Sequence, residues 1–456
     1  MRRLLFTPTD IAPLIFFRIV FGCLCVAEGL MGILHRELPE TINSAVHFPY
    51  TFFGWMPFFS MPIMYGIYGS FLVLGVCIAL GYKYLWSVTL FAIGFTYAFL
   101  RTKEYYLNHG YLFVMLSWLM LLLPAHRRLS WDSYHSPRLR SDTAAQWQVF
   151  LLPAMMGLVY FYGGLAKLQP DWLAAKSLLI WLKAKADMPL IGPLLAQPAT
   201  AYGMAYGGLL LDLFVPFLLL WSKTRKYALA AILFFHFSNT IIFKIGVFPW
   251  LSITLSLMFF PPDWPRRLAY RLRPDLRAHG FVAAYVTPSR RQQNLILLAL
   301  GVFLCYQCLM PFRHHLYEGD VNWTEEGHRF SWRMMLRSKG AWGHLVCRSA
   351  AKDSTWAIQP EVFLSARQAQ KVRTHPDMLY TFVQFLKTHY QEVEKIEDLE
   401  IYAQIRVRLN GKPDAFLIDP EYDLSKARWH IFQHDTWITT SNVEKARAAG
   451  PPRTSR

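Results

Sequence analysis

The chain has 456 residues, of which 54% are hydrophobic, 16% aromatic and only 17% charged. That balance points to a membrane protein. A net charge of +17 invites a nucleic-acid reading, but its distribution excludes one: residues 1–311 hold 26 Lys and Arg against 12 Asp and Glu, and the remainder 21 against 18.

In chain order, nine apolar runs predict transmembrane helices: 11–33, 57–80, 84–101, 110–125, 148–166, 203–221, 227–243, 247–261 and 293–311. The first follows Met-Arg-Arg. It is too long for a signal-peptide core and carries Arg18, so it reads as retained. The eighth is short enough to be tilted or re-entrant. Tails and loops on one side hold 17 Lys and Arg, and the opposite loops hold 8. The positive-inside bias then puts the N-terminus in the cytoplasm, and nine crossings put the C-terminal part outside. The expected fold is a multi-pass α-helical membrane domain (1–311), a small extracytoplasmic α/β domain (312–440) and a disordered tail (441–456).

The turns NHG (108–110), KLQPDW (167–172) and FKIGVFPW (243–250) fall near the outer membrane face on this reading. A site built there meets lipid-soluble molecules from the bilayer and water-soluble ones from outside. Five cysteines (Cys23, Cys25, Cys77, Cys305, Cys308) lie in apolar runs and read as small core residues. Cys347 is alone in the outer part, which therefore has no internal disulfide. Strands are expected at 344–350, 354–360, 401–410 and 414–420, and a helix at 375–394. This part shows no metal-ligand cluster and no nucleotide-binding glycine loop.

Ionisable groups inside a bilayer are costly and are usually paired or functional. Arg18 and Asp212 are expected to form a structural ion pair, with Glu28 as a competing partner. His236 and Asn239, three apart, share a helix face and suit interhelical hydrogen bonding. His109, in LNHGYL, suits a structural or capping role. Lys167, in FYGGLAKLQPDWL, reads either as a snorkelling lysine or as a general base. Gly163 and Gly164 allow close helix approach, which buries the lysine, and burial favours its neutral form.

FYGGLAKLQPDWL resembles the segment of vitamin K-dependent γ-glutamyl carboxylases that contains their catalytic lysine. LNHGYL, GGLLLDL, FHFSNTIIFKIGVF, PPDWPRRL, VNWTEEGHRFSWRMM and DPEYDLSKARWHIFQHDTW resemble family segments in the same order. The likeness runs with gaps from about residue 10 to 440 and includes the family's HTTM-type transmembrane domain. It implies an enzyme in which reduced vitamin K, deprotonated by the lysine, reacts with O2 to give a base strong enough for the glutamate γ-proton. CO2 is then added and the quinone epoxide is left.

Carried over residue by residue, Lys167 is implied as the base and His109 as the histidine of the carboxylation half. Asn108, Tyr162, Trp172, His236, Asn239, Met334 and Met335 are implied around the quinol. Trp323, Trp332 and Arg337 are implied around the glutamate, and Arg18 and Asp212 remain structural. The implied partners are a glutamate-containing secreted peptide or protein, membrane lipid and a quinone epoxide reductase, with no metal and no nucleic acid.

The sequence departs from the family pattern in places. Ala166-Lys167 stands for Lys-Lys, His328 for an aromatic residue and Arg337 for a histidine. Animal carboxylases continue further at the C-terminus. The shorter chain is therefore expected to be a bacterial-type, inner-membrane homologue in which menaquinol replaces vitamin K; in a eukaryote the endoplasmic reticulum membrane would hold it. The alternatives are a quinol epoxidase without protein carboxylation and a non-catalytic membrane scaffold of the same fold.

Overall fold

The computed structural model describes residues 2–35, 37–243, 245–275 and 280–440. Arg36, Lys244 and Arg277, counted in the charge argument, and the tail 441–456 lie outside the described residues. The longer helices are α1 (Ala12–Leu34), α2 (Met61–Leu80), α3 (Tyr84–Arg101), α4 (Asn108–Met120), α5 (Gln146–Leu165), α6 (Lys176–Lys183), α7 (Pro198–Leu220), α8 (Arg225–Phe243), α9 (Phe248–Leu257), α10 (Trp264–Leu272), α11 (Arg290–Leu309), α12 (Ala366–Thr374) and α13 (Pro376–Glu392).

Among the described residues, six helices are long and apolar enough to cross a membrane: α1, α2, α5, α7, α8 and α11 with its extension to Leu316. Three of the nine expected spans are not among these six. The run at 110–125 becomes the 13-residue α4 and the run at 247–261 the 10-residue α9. At 1.5 Å per residue these are about 20 and 15 Å long, against about 30 Å of hydrocarbon. Helix α3 reaches 18 residues but falls outside the six.

Small residues bring the helices together. A Cβ on Gly22 of α1 would lie 2.6 Å from the Gly75 carbonyl of α2, so the two backbones touch there. A Cβ on Gly164 of α5 would lie 2.6 Å from the Leu213 nitrogen of α7. The chain start and the C-terminal part lie at opposite ends of this bundle. Strand β1 (Pro8–Asp10) pairs with β2 (Thr143–Ala145) just before α5, while Gln169, just beyond the other end of α5, meets Asn322.

The C-terminal part carries an antiparallel sheet of β3 (Lys339–Ser349), β4 (Ser354–Ile358), β5 (Glu400–Leu409) and β6 (Ala415–Phe416), in the order β4-β3-β5-β6. Strand β5 alternates buried Ile401, Ala403, Ile405 and Val407 with more exposed residues. The buried row packs with Val372, Phe382 and Leu386 of α12 and α13. The helix at 375–394 and three of the expected strands are present, but β3 starts earlier, the strand expected at 414–420 shrinks to the two-residue β6, and α12 was not anticipated.

Polar contacts seat this domain on the bundle. Asp377 accepts from both Lys103 (3.1 Å) and Arg329 (2.7 Å), and Asp171 accepts from Asn410 and Lys412, each at 2.9 Å. Gln368 donates to Glu104 at 3.0 Å.

Candidate active site

A cavity of about 940 Å³ lies between the bundle and the outer domain. Its centre is built from the end of α5. The helix stops at Leu165, the chain turns, and the Lys167 side chain runs back so that Nζ donates to the Gly163 carbonyl at 3.2 Å. The same nitrogen lies 2.5 Å from Asp212 Oδ2 and 5.4 Å from the Trp172 ring centroid. Trp172 is fixed by its Nε1 hydrogen bond to the Ala205 carbonyl, 3.0 Å. Lys167 is 5% exposed, so it does not snorkel. Its partner is the Asp212 carboxylate.

That pairing corrects the expected Arg18–Asp212 ion pair. Arg18 donates to the Ala125 and Leu129 carbonyls, beyond the end of α4 remote from Asn108. It therefore lies roughly one α4 length, about 20 Å, from the cavity. Glu28 does not take it either, but lines the cavity.

Asn108, His109, Trp172, His236, Asn239, Met334, Met335 and Arg337 all line the cavity. His109 is half-buried and stacks on Phe248 (5.8 Å between ring centroids), whose ring meets His236 edge-on at 5.8 Å. Tyr160 and His236 share a 2.9 Å hydrogen bond. The Asn108 amide is already engaged: Oδ1 accepts from the Tyr106 hydroxyl and Nδ2 donates to the Arg333 carbonyl, each at 2.9 Å. Asn108 thus holds the strap that carries Met334 and Met335. Within this strap Glu325, Phe330, Trp332 and Met335 all adopt positive φ, a strained conformation that only firm surroundings sustain.

Three expected residues point elsewhere. Tyr162 donates to the Cys308 carbonyl at 2.8 Å and faces α11, because two residues along a helix is a rotation of about 200° from Tyr160. Trp323 is buried in the outer-domain core, its Nε1 donating to Thr439 Oγ1 at 3.0 Å. Trp332 is buried in the bundle core against Tyr111, 5.2 Å between centroids. None of the three lines the cavity.

The outer-domain wall is basic. Arg337 forks onto Glu325, and Lys339 reaches the same carboxylate at 3.2 Å. Lys371 lines the cavity, and its side chain makes no hydrogen bond or ion pair among the described residues. Burial brings the pKa values of Lys339 and Lys371 down to about 8. His328 and His375 are held well below the ordinary histidine value, by burial first and then by neighbouring cations, so both are neutral. Glu325, His328 and His375 offer ligand atoms within 4.8 Å of one another, a grouping the sequence reading had not seen. Both Glu325 oxygens are already held by Arg337 and Lys339, and the surrounding positive field opposes a divalent cation. Sequence reasoning also missed Asp212 as the partner of Lys167, and Lys339 and Lys371. Only the three-dimensional pairing singles these out from ordinary charges.

A helical bundle with a buried Lys–Asp pair under an α/β cap, sharing one cavity with a basic wall, defines a membrane protein with a cavity at the boundary of bundle and cap. The HTTM domain model matches residues 6–264, and the model for the lumenal domain of vitamin K-dependent gamma-carboxylase matches residues 292–444. The chain belongs to the vitamin K-dependent γ-carboxylase family. No solved structure gives a significant match.

Proposed function

We propose that this protein is a quinol-dependent γ-glutamyl carboxylase. The observation that carries the reading is the Lys167–Asp212 pair, which opens into the same cavity as the unpartnered Lys371. The cavity suits both ligands. Leu178, Trp181, Met204, Phe235 and Phe243 give it an apolar lobe beside Lys167, fitting a prenylated quinol such as vitamin K hydroquinone or menaquinol. The basic wall fits a glutamyl carboxylate.

When bound, the hydroquinone with O2 supplies a base stronger than any side chain at neutral pH. The residues of this chain do the rest. With its amine in the neutral form, Lys167 Nζ accepts the quinol hydroxyl proton, and the Asp212 carboxylate holds the nitrogen in place and balances the ammonium that forms. Lys371, with Arg337 and Lys339 behind it, orients the glutamate. His109, free of hydrogen bonds to the described protein groups, faces the space between the two ligands and serves the carboxylation half. The strap 325–335 and the outer domain exclude water. Opposite placement of the chain start and the outer domain, with the loop charges, supports an N-terminus in the cytoplasm and a site facing outward.

The test supplies purified protein in lipid with reduced vitamin K or menaquinol, O2, labelled CO2 and a glutamyl peptide, and follows epoxide and fixed label together. Both products are expected from wild type and neither from Lys167→Met. Epoxide without fixed label from wild type would replace this reading with a quinol epoxidase. Neither product with either quinol would leave the scaffold reading.

A further inference from the structure

The end of the bundle remote from the outer domain carries a corner that the proposed reaction does not use. Helix α7 runs out through exposed Phe217 and Leu220 to exposed Trp221, and the turn to α8 brings exposed Lys223 and Lys226 directly after it. Apolar, aromatic and then basic residues in that order are the layering of a membrane interface. The turn is held firmly. Arg225 donates to the Leu219 and Leu220 carbonyls at 2.7 and 3.1 Å, and Thr224 Oγ1 donates to the Leu218 carbonyl at 2.8 Å. The last carbonyls of α7 are thus satisfied from within the turn. The Lys223 and Lys226 side chains take no part in this and form no ion pair among the described residues; Lys226 has the neighbouring Tyr227 ring at 5.0 Å.

Helix α10 forms the other wall. The Arg225 guanidinium lies 5.8 Å from the ring of Phe260, shortly before α10 begins at Trp264. Trp264 donates to the Leu257 carbonyl at 3.1 Å and meets Phe16 of α1 edge-on at 5.1 Å. Arg266 forks onto Asp10 at 2.8 and 2.9 Å and reaches Asp142 at 2.7 Å, beside the β1–β2 pair. These bonds turn one side of α10 inward and leave Leu268, Arg271 and Leu272 exposed. Arg267 pairs with Asp263 and Arg273 with Asp275, whereas Arg271 has no ion pair among the described residues. Unpaired cations beside apolar surface that continues a membrane span suit a phosphate with hydrocarbon attached. We infer that this corner binds an anionic phospholipid of the leaflet on the side of the chain start: Lys223, Lys226 and Arg271 take the phosphate, and the acyl chains lie along the exposed faces of α7 and α10. The inference stands independently of the carboxylase reading.

Lipid binding to the full-length protein in mixed detergent and phosphatidylcholine micelles tests it. Energy transfer from protein tryptophan to tail-labelled phosphatidylglycerol or phosphatidylcholine is followed at about 0.15 M salt, where loose surface attraction is largely screened. Phosphatidylglycerol is expected to bind about tenfold more tightly than phosphatidylcholine. That preference should vanish when Lys223→Gln, Lys226→Gln and Arg271→Gln are combined. It should persist when Arg138→Gln, Arg290→Gln and Arg291→Gln are combined, which removes three exposed charges elsewhere at the same end. Equal wild-type affinity for the two lipids overturns the site. An equal loss in both triple variants overturns it as well, because the attraction then belongs to net charge rather than to this corner. Displacement of labelled phosphatidylglycerol by inorganic phosphate would assign the cations to a free anion and refute the lipid. Should the first triple variant fail to fold, single variants of the exposed Arg271 decide: a weaker preference in Arg271→Gln that Arg271→Lys restores supports the site, and an unchanged preference in Arg271→Gln refutes it.

Discussion

Lys167 Nζ, just past the end of α5, and Asp212 Oδ2 of α7 lie 2.5 Å apart, and the two helices touch at Gly164 and Leu213. Each group is almost fully buried, so each is the other's main electrostatic partner. Removing one leaves the other uncompensated, at a cost of about 3–5 kcal/mol. Lys167→Met should therefore lose both activity and stability. Lys167→Met with Asp212→Leu should recover most of the stability and none of the activity. Thermal melts beside the epoxide assay separate the two roles, and full recovery of turnover in the double variant would refute the catalytic assignment.

Asp212→Asn keeps the shape but removes the negative partner. The quinol half is expected to slow about 100-fold, a typical loss for general-base chemistry. Epoxide formation at saturating quinol measures it. A rate within twofold of wild type would reduce Asp212 to packing.

Gly164→Ala tests the helix contact itself. The new Cβ would meet Leu213 backbone at 2.6 Å and must push α5 from α7. A destabilisation of about 1–3 kcal/mol is expected, with loss of turnover. Gly203→Ala, where nothing lies within 4 Å, serves as the neutral control in the same melts.

His109→Ala should leave epoxide formation nearly intact and sharply reduce label fixation, because the ring faces the cavity without anchoring the Lys–Asp pair. Equal loss of both products would show that His109 acts on the quinol half or on the fold.

The pH dependence follows from Lys371 and Lys339, whose pKa values burial lowers from 10.5 to about 8. Below pH 8 both are charged and hold the glutamate; above it the charge is lost, so the peptide KM should rise from about pH 8. Stability should move the other way. Between about pH 8 and 10.5 the unfolded chain binds more protons than the folded one at these two sites, so their contribution grows more favourable with pH. Lys371→Arg should remove much of the KM inflection, since arginine stays charged. A KM that is flat from pH 7 to 9.5 in wild type would exclude these lysines from substrate binding.

Much of this protein was legible without coordinates. Long apolar runs defined the membrane class because the bilayer demands them, and alternation in 401–410 marked β5 because a half-buried strand has period two. Lys167, His109 and the glycines before the lysine were readable as local motifs. Not all nine expected spans are recovered among the described residues, since composition does not reveal that the runs at 110–125 and 247–261 form helices as short as α4 and α9. What only the tertiary structure decided was pairing and direction. Asp212 meets Lys167 and not Arg18 because depth along a helix fixes neither its rotation nor its neighbours. Tyr160 faces the cavity while Tyr162 turns to α11, and Trp323 and Trp332 enter two separate cores. The basic wall of Arg337, Lys339 and Lys371 exists only because β3 and α12 are folded over the bundle. Charge recognition at a site depends on where side chains converge in space, and sequence order does not contain that convergence.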